Sequence, residues 1–146
     1  MKAMDQQNMD RILFGALRAI YRFERTKVAR FGLTYEEIYL LQFLRRRSPV
    51  RMGDIAREMA RPVSTATRVI DRLQKRRLVT REKDPGDKRN ILVSLTEAGD
   101  AMVTDVEAHT FETVSRNLKR FTAGDIDAFV KTAVLLDQLL AVQEEE

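Results

Sequence analysis

The chain has 146 residues, 44% of them hydrophobic and 33% charged, which fits one ordinary domain or two lobes sharing helices and does not fit a disordered chain. It has no cysteine, so disulfides, thiolate metal sites and cysteine-based peroxide sensing are excluded together. The net charge of +4 is unevenly placed: fifteen of the 26 basic residues but six of the 22 acidic ones lie between Arg45 and Asn90, a local +9 against −5 elsewhere, either a solvated charged surface or a polyanion-binding module in a neutral scaffold.

From Asp10 to about Phe31, Ile12, Leu13, Ala16, Ile20 and Phe23 form one helical stripe, and Phe14, Leu17 and Tyr21 form a second beside it. That apolar face is too broad for a helix lying on one small core, so it is expected to pack on its own chain and also on another. Phe31, Gly32 and Leu33 end the helix, and Thr34 with Glu37 three residues on supplies a capping box for a second helix reaching about Arg47. Ser48 and Pro49 break it. Met52, Ile55, Ala56 and Met59 then share one face of a short segment that reads as the first helix of a helix-turn-helix, with Ala60 and Arg61 as a turn without the frequent glycine.

The stretch Pro62 to Asn90 is the most informative. Pro62 suits a first helical position, where its missing N–H costs no hydrogen bond. On the wheel Val63, Ala66, Val69, Ile70 and Leu73 gather on one side, and Ser64, Thr65, Arg68, Arg72 and Lys75 on the other. Small hydroxyls beside long cations suit contact with phosphates and with base edges in a major groove. Ser64, Thr65 and Arg68, near the helix start, are expected to read bases; Lys75 and Arg76, nearer its end, to anchor on phosphates, with Thr67 and Arg72 also in the contact set. Leu78 to Lys83 reads as a strand, Asp84 to Asp87 as a turn, and Ile91, Val93 and Leu95 as an alternating second strand, with Lys88 and Arg89 at the tip and Asp87 set to hold one of them. A basic hairpin beside a basic helix is a winged-helix arrangement.

Thr96 is expected to cap a long helix reaching about Phe121, striped by Phe111, Val114, Leu118 and Phe121. Thr122 starts one final helix carrying Ile126, Phe129, Val130, Ala133, Leu136 and Leu140, ahead of a solvated tail, Glu144 to Glu146. No apolar run approaches the roughly 20 residues of a membrane span, and MKAMDQQNMDR lacks a signal-peptide pattern, so no membrane partner and a cytoplasmic location are expected. The one histidine, His109, lies on the long helix, where such a residue is either structural or pH-responsive. No metalloprotease, phosphate-loop or dinucleotide motif occurs, so neither an enzyme nor a cofactor nor a metal site is expected.

The run RVIDRLQKRRLVTREKDPGDKRNILVSLTEAG resembles the recognition helix, wing and following helix start of the MarR (multiple antibiotic resistance regulator) family. Two departures stand out: Arg77 where the family usually has glycine, and Lys88 where arginine is common, leaving Arg89 as the minor-groove residue. The resemblance implies a mainly α-helical winged helix-turn-helix, with residues 34–95 as the DNA-binding region and 1–33 and 96–146 as a helical dimerisation region. It implies a homodimer, double-stranded DNA as partner, a palindromic operator, and repression as the mode of regulation. It also implies a small aromatic or anionic effector in a crevice between dimerisation helices and winged helix. Phe14, Arg18, Tyr21, Tyr39 and Phe43 are the candidates to line that crevice, with Arg18 as carboxylate partner; the alternative is that the aromatics are core and Arg18 a surface cation. The competing functional readings are a sequence-nonspecific architectural DNA binder and a protein-interaction module with a degenerate winged helix.

Overall fold

The computed structural model describes residues 5–142. Its elements run α1 (Gln6–Phe31), α2 (Tyr35–Arg47), β1 (Val50–Arg51), α3 (Met52–Glu58), α4 (Val63–Lys75), β2 (Val79–Lys83), β3 (Ile91–Leu95), α5 (Glu97–Leu118), α6 (Ala123–Ala133) and α7 (Leu136–Leu139). Helix dominates, and the three strands form one antiparallel sheet in the order β1-β3-β2. Contacts divide the chain after Glu107 into two compact units.

In the first unit, α1 begins four residues earlier than its apolar stripe suggests, because the Asp5 carboxylate accepts the Asn8 N–H at 2.8 Å and caps the end. It stops at Gly32, whose φ of 63° is the left-handed conformation that closes helices. The capping box on α2 forms as the sequence indicates: Thr34 accepts from the Glu37 N–H at 3.2 Å, and Glu37 from the Thr34 N–H at 2.9 Å. Helix α2 then runs through the middle of the core, burying Ile38, Leu40, Leu41 and Leu44. Around it lie Ile55 of α3, Ala66, Val69, Ile70 and Leu73 of α4, Val79 and Val93 of the sheet, and Val103 and Val106 of α5. Each of the larger of these side chains contributes about 1.5–3 kcal/mol through burial. Val63 departs from the helical-wheel reading: it has the azimuth of the core face but stands in the first turn, beyond the core, and is 54% exposed. Pro62 likewise is the N-cap of α4 and not its first helical residue.

The hairpin has the register Val79↔Leu95 through Lys83↔Ile91. Strand β1 has no counterpart in the sequence reading. Two residues carry no alternation to recognise, and its pairing of Val50 with Val93 and Arg51 with Leu92 is supplied by β3.

The chain leaves α4 through the C-cap Arg76 and then Arg77, where a glycine would be easiest. Arg77 has φ 59°, its N–H donates to the Gln74 carbonyl at 2.9 Å, and the Leu78 N–H reaches back to the Leu73 carbonyl at 3.0 Å. A non-glycine residue in this conformation costs about 1–2 kcal/mol, against the roughly 0.5–1 kcal/mol of extra backbone entropy that glycine loses on folding. Arg77→Gly is therefore expected to stabilise the fold by about 0.5–1 kcal/mol, seen as a higher urea midpoint at unchanged slope.

The second unit comprises the end of α5 with α6 and α7. Helix α5 stops at Leu118, three residues before Phe121, in a turn closed by Arg120 N–H to Asn117 and Phe121 N–H to Leu118. Thr122 starts α6 through a second capping box with Asp125, and the Thr122 hydrogen bonds hold the Asp125 carboxyl below its ordinary value. The single final helix expected from the sequence is divided at Val134 and Leu135, where the Leu135 N–H bonds to the Thr132 carbonyl. No residue of α6 or α7 is buried, and short helices without a packed face are only marginally stable. The acidic tail Glu144 to Glu146 lies outside the described residues.

Candidate nucleic-acid interface

The residues between α3 and α4 make a tight turn in which Ala60 takes φ 48° and the Arg61 N–H bonds to the Ala56 carbonyl at 3.0 Å. Helix α2 grips this turn and α3 from its exposed side: Glu36 pairs with Arg61 at 3.1 Å, and the Tyr39 hydroxyl donates to Glu58. With its apolar face sunk into the core, α4 turns its other face to solvent. Ser64 and Arg68 are exposed, and Thr65 is half-buried beside them. Thr67 is half-buried, and its hydroxyl donates to the Val63 carbonyl at 2.8 Å. No acidic residue occupies the first turn of α4, so the positive end of the helix dipole faces outward unopposed, which favours phosphate oxygens nearby.

The cations farther along α4 divide into two kinds. Lys75 is exposed. Arg72 donates through Nε to the buried carboxylate of Glu37 at 2.7 Å. Arg76 donates to the Gly32 carbonyl at 2.7 Å and reaches the Phe31 carbonyl at 3.5 Å, closing the end of α1. The structure thus gives Arg72 and Arg76, both expected among the DNA contacts, bonds within the protein.

The wing is braced against α4 by Arg81 of β2, which bonds to Asp71 and, at 2.7 Å, to Gln74. Its tip is longer than the four-residue turn read from the sequence: residues 84–90 make two consecutive turns. The Asp84 carboxylate accepts the Gly86 N–H at 2.9 Å, and that of Asp87 accepts the Arg89 N–H at 3.1 Å. Asp87 and the Arg89 side chain form a long, exposed ion pair. Arg89 Nε stands 4.0 Å from Asp87, and the Arg89 side chain is 94% exposed. Asp87 shapes the loop through its backbone contacts, and Arg89 and Lys88 stand out into solvent.

The five effector candidates are not brought together. Tyr21 lines an apolar hollow of about 280 Å3 with Leu17, Ile20, Arg25, Val28 and Tyr35. Tyr39 lines a second with Glu58 and Arg61, and Phe43 a third with Arg47, Pro49 and Arg51. Phe14 and Arg18 line none of these three; both are exposed on α1. The resemblance implied a crevice lined from the first two helices, but α1 packs on the core toward its C-terminal end, where Val28 and Phe31 join it and Lys27 is buried and paired with Glu24 at 2.7 Å. His109 is half-buried on α5. The ties made by Glu36, Glu37, Tyr39 and Arg81 were not read from the sequence; they join residues 7 to 35 positions apart, and no local pattern announces them.

A helix-turn-helix in the core, a basic exposed helix face and a strand hairpin with a cationic tip define a winged helix. Residues 31–90 match the family model described as the MarR family. An HTH-type transcriptional regulator of Bacillus subtilis, YsmB, is 30% identical over 106 residues, 73% of each chain. MgrA of Staphylococcus aureus, also an HTH-type transcriptional regulator, is 28% identical over 91 residues, 62% of each chain. Among solved structures, a point mutant of S. aureus MepR superposes with a TM-score of 0.74 over 94% of this chain and 99% of that one at 17% identity. Apo MarR of E. coli gives 0.73 over 90% and 96% at 22%. The chain belongs to the MarR family of winged helix-turn-helix transcriptional regulators. No helix among the described residues is long and apolar enough to cross a membrane.

Proposed function

We propose that the protein is a homodimeric DNA-binding regulator, acting as a repressor on a palindromic operator, with α4 in the major groove and the wing tip at the adjacent minor groove. The observation that carries this reading is the exposed Ser64, Arg68 and Lys75, with Thr65 half-buried beside them, next to a wing whose Lys88 and Arg89 extend into solvent. In S. aureus MepR, which shares this fold, the structures include complexes with an oligodeoxyribonucleotide and with DNA.

Dimerisation follows from surface that one copy leaves uncovered. On α1, Ile12, Phe14, Leu17, Ile20 and Tyr21 are each more than half exposed, and in the second unit so are Phe111, Phe121, Phe129 and Leu139. Apolar surface of this extent on a soluble regulator calls for a partner, and a second copy of residues 1–33 and 96–146 is the simplest one. Light scattering at micromolar concentration should give twice the 16.9 kDa chain mass; a monodisperse monomer would contradict it. A twofold dimer presents two recognition helices about one DNA turn apart, so fragments recovered by the purified protein from a genomic pool should contain inverted repeats with half-sites about 10 base pairs apart. Even recovery of all fragments would favour the architectural alternative. The apolar hollow beside Tyr21, which Arg25 and Glu24 also line, offers a small aromatic effector, or an anionic one paired with Arg25, a place from which to release the operator.

A further inference from the structure

We infer that Glu37 is the residue that aims the recognition helix, using Arg72 as a strut, and that Arg72 is a positioning residue and not a phosphate contact. The inference rests on the reading of α4 as the base-reading element. Glu37 is 4% exposed, and both of its carboxylate oxygens are committed: one accepts the Thr34 N–H at 2.9 Å, the other the Arg72 Nε–H at 2.7 Å. Because Glu37 sits in the first turn of α2 and its N–H is bonded to Thr34, the carboxylate is fixed to the α1–α2 corner, not to a mobile surface. Four residues along the same stripe of α4, Arg76 bonds to the Gly32 and Phe31 carbonyls of that same corner. Two arginines one turn apart therefore tie the second half of α4 to one short segment, residues 31–37.

Helix α4 is already held by its apolar face, which is nondirectional, and on the wing side by the Arg81 bonds to Asp71 and Gln74; on the side of α2, rotation about the helix axis and sliding along it are left to the arginine struts. Charge-assisted hydrogen bonds at fixed geometry resist both. Ser64, Thr65 and Arg68 lie within two turns of Arg72, so a small rotation there moves their tips relative to base edges, which is what sequence discrimination depends on. Since α1 is also the helix with the uncovered apolar stripe, the Arg76 bonds to the Phe31 and Gly32 carbonyls at its end connect the proposed dimer contact to the reading face.

Glu37→Gln separates the strut from the cap, because glutamine serves the N3 position of a capping box as glutamate does, while its neutral amide cannot hold Arg72 by charge. The full-length protein, its Glu37→Gln and Arg72→Ala variants and the double variant are compared for affinity to the selected operator and to bulk duplex across a salt series, with thermal midpoints recorded. The expected result is a ratio of operator to bulk affinity reduced about tenfold in either single variant, no further loss in the double, bulk affinity and salt slope as in the parent. Arg72→Lys, which keeps the charge but not the directed Nε–H, should recover the ratio in part. If Arg72 instead contacts phosphate, Arg72→Ala lowers both affinities alike and the salt slope by about one, while Glu37→Gln raises both; that result overturns the inference. A lowered midpoint with an unchanged ratio also overturns it, leaving the pair a purely structural one. A parent protein that binds every duplex alike would remove the base-reading interpretation itself, and with it this inference.

Discussion

Gly99→Ala is expected to lower stability by about 3 kcal/mol or more, the largest effect of an added methyl group at any of the six glycines. A Cβ built at Gly99 would stand 2.0 Å from the Leu78 carbonyl oxygen and 3.0 Å from the Leu95 side chain. The obstacle is backbone, so a rotamer change cannot relieve it. The Leu78 carbonyl is itself held by the Thr96 N–H at 3.1 Å, while the Thr96 hydroxyl donates to the Arg77 carbonyl at 2.7 Å and accepts the Gly99 N–H at 3.0 Å. This is the crossing where the end of α4, both hairpin strands and the start of α5 meet. Overpacking ordinarily costs about 1–3 kcal/mol, and here relief requires moving strand β2 away from α5. With about 2–4 °C lost per kcal/mol in a chain of this size, the thermal midpoint should fall by roughly 10 °C. Operator affinity should fall too, since the wing and α4 both hang on that crossing. Differential scanning calorimetry measures the first; an unchanged midpoint would mean that the crossing is looser than described.

Arg89→Ala is expected to weaken operator binding by about tenfold or more while leaving stability within about 0.5 kcal/mol. The Arg89 side chain is 94% exposed, so its removal takes no packing from the fold. Its backbone N–H, bonded to Asp87 at 3.1 Å, is retained in alanine. A narrow A·T-rich minor groove concentrates negative potential and attracts an inserted arginine without reading single bases. The variant should therefore also lose any preference for A·T-rich flanks. Asp87→Ala should act more mildly and by another route: it releases the Arg89 N–H and the Asn90 side chain, 3.4 Å away, and so loosens the loop without removing the cation. Operator titrations with A·T-rich and G·C-rich flanks measure both variants; equal affinities for parent and Arg89→Ala would reject the wing tip as a DNA contact.

What the sequence made legible follows a physical line. The capping box at Thr34, the helix start at Thr122 and the amphipathic face of α4 beyond Val63 are local patterns, decided within a few residues, and each appears in the structure as read; the strand of Ile91, Val93 and Leu95 forms too, but only Val93 of it is buried. Arg77 was marked as an unusual helix end, and its φ of 59° is the reason. The features that escaped depend on partners distant in sequence. Strand β1 exists because β3 offers it two pairings. Glu37 reads as a capping residue and nothing in its neighbourhood points to Arg72, 35 positions away. The scatter of Phe14, Arg18, Tyr21, Tyr39 and Phe43 over separate surfaces reflects where α1 and α2 approach, which a helical wheel does not contain. The division of the final helix at Val134 and Leu135 depends on whether its apolar face is packed, again a nonlocal matter.

The central claim, that the outward face of α4 reads bases, is tested most directly by selecting binding sites from random duplexes with the parent protein and with Arg68→Ala in parallel. Arg68 is exposed on the first half of α4, with Ser64 one turn before it, and a good base contact is worth about 1–3 kcal/mol of discrimination. The account predicts an inverted repeat for the parent, and for Arg68→Ala the same half-site spacing with one position per half-site relaxed. An Arg68→Ala protein that selects the parent's motif with the parent's affinity would contradict it.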